Sequence, residues 1–474
     1  MMFAENRKIS IRQLQVLLLL DCFGTAVLFL PAEMAEISGR GCFFAALLGG
    51  LGVSAASLLL TAVGRRMPVG TVVDWCRSVC GNGIGTILLL GLAGKLLLDG
   101  MLELRIFSEI ICRFMLPATP VWVLSLVLLL VAGALAAQGT ECRGRTAEIL
   151  FFLVAIPLLL VLLAVAASTQ YARVLPLTLP SPSGIGAGLA EMSIVCRGLV
   201  FLYFIYPDLK KPVGFAVWKA CLLITAVVTV IVLLCLANYG EGMLAAKLLP
   251  TLQMLERVSF TGVFLTGQDL LLLWFWMASA VLFLSGVVFF GSLLGTQLCR
   301  QAEKKRKLWL WVVLAALFAL SFLPESLMAA QRLRLAVSPW LNLAYLVGLP
   351  VLLLLLGRER KRMYKKFVLL ALAVPFFLTG CWDKKDPEDR AFIITLGVDT
   401  AAENGCHFTF APANIETGEA ETYAAESETL SGAVAQVDTY TSRKTDLGQL
   451  KTVILGEGLL RDSARLDALL GELE

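Results

Sequence analysis

The sequence predicts an all-α polytopic membrane bundle of ten transmembrane helices, followed by a partial α+β soluble domain. Three observations carry this. Mean hydropathy is +0.81 and 58% of the residues are apolar, more than a water-soluble globular chain carries. Windows of about 20 apolar residues, the length that crosses a bilayer, recur ten times before residue 357. Charge divides the chain in two: residues 1–366 hold 32 Lys and Arg against 18 Asp and Glu, whereas residues 367–474 hold 8 against 18. A cationic apolar part and an acidic polar part suit different solvents, lipid and water.

The expected spans are 12–31, 42–63, 84–112, 119–138, 147–167, 184–206, 213–237, 269–296, 308–327 and 337–356. Lys and Arg in alternate loops set their direction, because positively charged loops resist translocation. One side collects Arg7, Lys8, Arg12, Arg65, Arg66, Arg143, Arg145, Lys210, Lys211, the 300–307 cluster and the 358–366 run. The other has only scattered cations, among them Arg40, Arg113, Arg173, Lys247, Arg257 and Arg332. Both ends of the ten-span unit, the N-terminus included, are therefore expected in the cytoplasm.

After the last span come a basic run, an apolar stretch of about 11 residues (367–377) and Leu378-Thr379-Gly380-Cys381. A charged region, a short hydrophobic region and a small residue before cysteine form a bacterial lipoprotein signal, too short to span. It places Cys381 as a lipidation site and everything after it outside the cell membrane. The chain thus reads as two proteins joined, the second starting naturally at Met363: residues 1–357 form the transmembrane domain, 358–381 the basic stretch and signal, and 382–474 the soluble domain. In that domain AFIITLGVDT (391–400) is a short apolar run expected as a buried strand, CHFTFAPANI (406–415) pairs with it, 426–442 is a helix, LKTVILG (450–456) a second buried strand and 463–473 a helix.

Ten spans suit a five-plus-five inverted repeat in which spans 1 and 6 are interrupted at mid-membrane. Sequence periodicity does not itself display the repeat. Helix breakers do stand in the required places: Gly24 and Pro31 in span 1, and Gly184, Gly186, Gly188, Gly198 and Pro207 in or around span 6.

Ionisable side chains at bilayer depth cost about 2.5–3.5 kcal/mol each at a helix centre, so each needs a partner or a task. The candidates are Asp21 in span 1, Lys95 and Asp99 in span 3, Glu191 and Arg197 in span 6 and Asp269 in span 8. Lys95 and Asp99, four apart, meet on one helix face, either neutralising each other so that span 3 inserts or forming a substrate or proton site. Asp21 is placed to pair with Arg197. Gly24 and Thr25 offer backbone N–H groups and a hydroxyl to a carboxylate, against the ordinary use of glycine for close helix packing. Phe201 and Tyr203 either shape a pocket or pack.

No catalytic constellation is legible. The single histidine, His407, has no metal-spaced partners, which disfavours zinc and histidine-dependent triads. Ten of the twelve cysteines are scattered over the membrane part, where a thiol is a small apolar group. A phosphate-gripping glycine loop is missing. Neither an enzyme, a cofactor, a metal nor a nucleic-acid partner is expected.

The string GTAVLFLP (24–31) resembles the first-span signature of the amino acid/polyamine/organocation transporters, in particular their spore permease branch, the B subunits of nutrient germinant receptors. RGLVFLYFIYPDLKKP (197–212) is similar to that branch's sixth span, and RRMPVGTVVDWCRSVCGNGIG (65–85) to its span 2 to 3 loop. LTGCWDKKDPEDRAFIITLGVDT (378–400) and TSRKTDLGQLKTVILGEGLLRD (441–462) resemble the N-terminal part of the germinant-receptor C subunit, a lipoprotein. The resemblance implies a LeuT-type 5+5 bundle in the spore inner membrane or cell membrane. It also implies a small nutrient, an amino acid above all, bound by Gly24, Thr25, Ala26, Lys95, Asp99, Gly198, Phe201 and Tyr203, with receptor A and C subunits as partners. Where the branch often has an acidic residue just after the glycine aligned with Gly198, this chain has Val200, so ligand chemistry does not transfer directly. The alternatives are a stand-alone amino acid transporter coupled to protons or sodium, and a plain membrane anchor for the lipoprotein.

Overall fold

The computed structural model describes residues 8–67, 71–169, 171–175, 178–210, 213–256, 268–301, 305–356, 390–401, 405–412, 422–427, 429–440, 444–446 and 450–461. Met363, Cys381 and the expected helix 463–473 lie outside them. The chain divides into two compact units at residues 379 and 380.

The first unit is helical. α1 (Ile11–Cys22) and α2 (Ala26–Ser38) are followed by α3 (Cys42–Arg66), the short α4 (Val72–Cys80), α5 (Asn82–Phe114), α6 (Val121–Ala137) and α7 (Thr140–Ser168). Then come α8 (Pro182–Val195), a 3-10 stretch (Cys196–Phe201) leading into α9 (Leu202–Ile205), α10 (Ala216–Tyr239), the short α11 (Glu241–Ala245) and α12 (Pro250–Glu256), α13 (Gln268–Leu298), α14 (Arg306–Leu320), α15 (Leu327–Leu343), a π turn (Ala344–Gly348) and α16 (Leu349–Leu356). Among the described residues, six helical segments are long and apolar enough to cross a membrane: Ala26–Arg66, Thr140–Ser168, Pro182–Asp208, Ala216–Tyr239, Trp276–Leu298 and Leu327–Leu356. α5 is 33 residues long, about 50 Å at 1.5 Å per residue, but carries six charged side chains between Lys95 and Arg113. α14 and α6 are apolar but shorter.

Polarity is inside out relative to a water-soluble protein. On α7 the residues Ile149, Leu153, Ile156, Leu160 and Leu163 are 54–73% exposed and repeat at helical spacing, a stripe that suits lipid. Asp21, Lys95, Asp99, Glu103, Arg143, Glu191, Arg197 and Arg334 are all buried.

Small residues let the interior helices approach closely. A Cβ placed on Gly188 of α8 would lie 2.2 Å from the Ala45 carbonyl oxygen of α3, and one on Gly49 would lie 2.2 Å from the Gly188 carbonyl. Gly186, on the same helix, has nothing within 4 Å. Gly188→Ala should therefore overpack and destabilise by about 1–3 kcal/mol, while Gly186→Ala should be neutral or stabilise by up to about 1 kcal/mol through helix propensity. Melting of the two variants in detergent checks this, and equal melting points would count against the close α3–α8 contact.

The second unit is a five-stranded sheet: β1 (Arg390–Thr400), β2 (Cys406–Pro412), β3 (Tyr423–Ser427), β4 (Lys444–Asp446) and β5 (Thr452–Leu455), with helices α17 (Leu430–Tyr440) and α18 (Glu457–Leu460). β1 pairs antiparallel with β2, β2 antiparallel with β3, and β1 runs parallel to both β4 and β5. Ile393, Leu396, Val398, Phe408, Phe410, Ala433 and Val437 close a small core. β1 and β2 pair as the sequence implies. β5 forms where a strand was expected but is not buried: Val453 and Ile454 are 38% and 58% exposed. An apolar run alone does not report whether anything packs on both of its faces.

Candidate functional site

The first span is broken between α1 and α2, and several of the freed backbone groups near the break have a traceable partner. Ser10 caps α1 through a capping box with Gln13, and Phe23 ends it by donating its N–H to the Leu19 carbonyl. The Ser279 hydroxyl of α13 shares its proton between the carbonyls of Leu20 and Phe23. On the far side, Thr25 donates its N–H (3.3 Å) and its hydroxyl (2.5 Å) to the Glu103 carboxylate of α5. The same carboxylate accepts from the Arg197 guanidinium. The break is thus sealed by a carboxylate that the chain itself supplies. Of the donors expected to be vacant for a ligand, the Thr25 N–H and hydroxyl are engaged.

Only one of the two breakers expected in span 1 breaks it. Pro31 lies inside α2. Its missing N–H would orphan the Val27 carbonyl, four residues back, and the Thr251 hydroxyl donates there instead at 2.8 Å. In the sixth span Gly184, Gly186 and Gly188 are ordinary members of α8, and the α-helix tightens to 3-10 geometry only around Gly198, with Pro207 in a short terminal turn (Tyr206–Asp208). That segment is overwound, not opened.

The two irregular segments touch. A Cβ on Gly198 would meet the Asp21 Cβ at 3.0 Å, and one on Gly24 would meet Arg197 Nη2 at 2.9 Å and Glu103 Oε1 at 3.1 Å. Farther along, Ile9 donates to the Asp208 carbonyl (2.9 Å) and accepts from the Lys210 N–H (3.1 Å), tying the start of α1 to the end of the α9 segment.

Ion pairing differs from the expectation. Arg197 bonds Glu103, not Asp21. Asp21 instead accepts from Arg143 at 3.2 Å, and both side chains are fully buried. Arg143 also donates to the Ser285 hydroxyl (2.9 Å) and the Leu282 carbonyl (3.1 Å) and lies over the rings of Phe201 and Phe290. Gly286 leaves room for it, since a Cβ there would meet Arg143 Nη2 and the Phe201 ring at 2.6 Å. By sequence Arg143 falls among the loop cations, because the apolar window of span 5 begins at 147. The helix begins at Thr140, and its first turn tucks into the bundle.

The remaining expected residues are placed as follows. Lys95 and Asp99 bond each other, with Ser338 of α15 donating to Asp99 at 3.5 Å. Ala26, buried, opens α2. Phe201 stacks among Phe283 and Phe290. Tyr203 donates to the Tyr345 carbonyl at 2.6 Å and lines a cavity of about 320 Å³ with Thr140, Asp208, Phe289 and Arg306. Gly24 and Thr25 therefore gather around Glu103 and Arg197, Gly198 lies against Asp21, Lys95 and Asp99 form a pair one turn along α5, and Phe201 and Tyr203 face elsewhere. Glu103 is the central residue that the sequence reading missed. Its signal was the spacing 95, 99, 103 on one face. The side chain of Asp269 lies outside the described residues.

Cys76 and Cys80 sit on α4, apart from the spanning helices. Burial pushes their thiols up to about 12 and about 11, so both stay protonated and unreactive at neutral pH.

The spore permease family, described as spore germination protein, matches residues 8–329. The spore germination protein N-terminal domain matches residues 383–471. Spore germination protein YndE of Bacillus subtilis (strain 168) is 24% identical over 372 residues, covering 76% of this chain and 99% of that protein. Among solved structures, MhsT in complex with L-phenylalanine shares 13% identity, with a TM-score of 0.49 over 77% of this chain and 98% of that one.

Proposed function

The chain belongs to the spore germination protein family of permease type, and on that premise we propose that it is the membrane-embedded subunit of a nutrient germinant receptor. In this reading it binds a small nutrient, an amino acid, inside the helical bundle, with Gly24, Thr25, Ala26, Lys95, Asp99, Gly198, Phe201 and Tyr203 contributing, and triggers spore germination. The observation that carries the reading is the match of both parts of the chain to spore germination domains. The sealed break supports it. A helix interruption whose donors are held by the carboxylate of another helix has two arrangements, Glu103 engaged or Glu103 displaced, and a ligand shifts that balance by as much as its affinity for the two differs.

The finer reading is a ten-span, 5+5 bundle of LeuT type, with both ends in the cytoplasm. Cys381 is lipidated, the residues after it lie outside the spore inner membrane or cell membrane, and receptor A and C subunits are the partners. Deleting the gene from a strain without a paralogue should abolish nutrient-triggered release of dipicolinate while leaving outgrowth normal after the cortex is digested enzymatically. Unchanged release would overturn the receptor reading. Labelled amino acid uptake into vesicles holding this chain alone would instead favour the transporter.

A further inference from the structure

One face of α15 carries Gln331, Arg334 and Ser338, all buried at 1–5% exposure, and α15 packs on α5 and α8. The other interior ion pairs close at hydrogen-bond distance. Arg334 does not: its nearest carboxylate oxygen is Glu33 Oε1 of α2, 3.7 Å away. Its Nε, Nη1 and Nη2 have no hydrogen-bond partner among the described residues, although the ring of Phe29 lies 5.1 Å from its Cζ. Glu33 accepts from Gln331 through Oε1, while Glu33 Oε2 and Gln331 Oε1 are buried without a partner.

Buried polar atoms are almost always bonded, and an idle buried donor forfeits its full hydration. Here three idle donors on a cation adjoin two idle acceptors, one of them on an anion. The cluster is not sealed, since the Glu33 side chain is 13% exposed. The complementary ligand has an anionic acceptor and a cationic donor a bond or two apart.

We propose that Arg334, Glu33 and Gln331 bind the head group of a zwitterionic α-amino acid, the carboxylate on the Arg334 guanidinium and the ammonium between Glu33 Oε2 and Gln331 Oε1. The site lies on α2 and α15, beyond the break at residues 23–25. It rests on the nutrient-receptor reading and names the chemical class that reading takes: a free amino acid with both charges, not its amide, its deaminated acid or a sugar.

The test uses the full chain in detergent, with each of the twenty L-amino acids as a thermal-stabilisation probe. The strongest is then compared with its carboxamide and its deaminated acid. Arg334→Gln should weaken binding of the amino acid roughly 30-fold or more and leave the weaker binding of the carboxamide unchanged. Glu33→Gln should weaken the amino acid but not the deaminated acid. If the three side chains merely hold one another, both variants will melt lower without ligand and bind the amino acid as the wild type does, which would overturn the proposal. Should Arg334→Gln fail to fold, Glu33→Gln with the two acids decides alone. A wild type that none of the twenty stabilises would sink the amino-acid reading and this site with it; a wild type that binds an amino acid, with both variants binding it equally well, sinks the site only.

Discussion

Glu103→Gln should be the most damaging single conservative substitution in the bundle. Glu103 is fully buried and accepts from Arg197, the Thr25 hydroxyl and the Thr25 N–H. Glutamine keeps the shape but removes the charge, leaving Arg197, 3% exposed, without a counter-ion. Breaking a buried pair from one side costs about 3–5 kcal/mol, whereas replacing both members by apolar groups is often neutral. The expected result is poor recovery of monodisperse protein and a strongly lowered melting point, with Glu103→Leu combined with Arg197→Met recovering much of the loss. If the double variant were no better than Glu103→Gln alone, the pair would not be what Glu103 contributes.

Asp21→Asn comes second, by the same logic applied to Arg143. The cost should again approach about 3–5 kcal/mol, moderated because Arg143 keeps the Ser285 hydroxyl, the Leu282 carbonyl and the faces of Phe201 and Phe290. Asp21→Asn should therefore melt above Glu103→Gln but well below wild type, and Arg143→Met should be rescued by Asp21→Leu. An Asp21→Asn protein as stable as wild type would show that the aromatic faces and neutral acceptors suffice for Arg143.

Much of the architecture was legible because a bilayer enforces long apolar helices, and six of the described helical segments are long and apolar enough to cross one. The location of the break was legible in Gly24. The identity of what fills it was not. Hydropathy windows treat a charge as either loop or anomaly, so Arg143, just outside a window, reads as a loop residue although it is the partner of Asp21. Helical spacing exposes neighbours on one helix, such as Lys95 and Asp99, but Glu103 and Arg197 meet across 94 residues of chain, which no local pattern encodes. Proline misled in the same way. Pro31 breaks a helix only where its orphaned carbonyl lacks a donor, and Thr251, 224 residues away from Val27, supplies one. In the soluble unit, the apolar run of β5 signalled a strand but not its exposure.

The most direct measurement is nutrient-triggered dipicolinate release from spores whose only copy of this chain carries Gly24→Val, with the amount of chain in the membrane checked by blot. A valine Cβ would stand 2.9 Å from Arg197 Nη2 and 3.1 Å from Glu103 Oε1, forcing apart the pair that seals the break. The account predicts a lost nutrient response even when spores are compared at matched amounts of chain. Normal release at matched abundance would contradict it, because the sealed break would then play no part in the response.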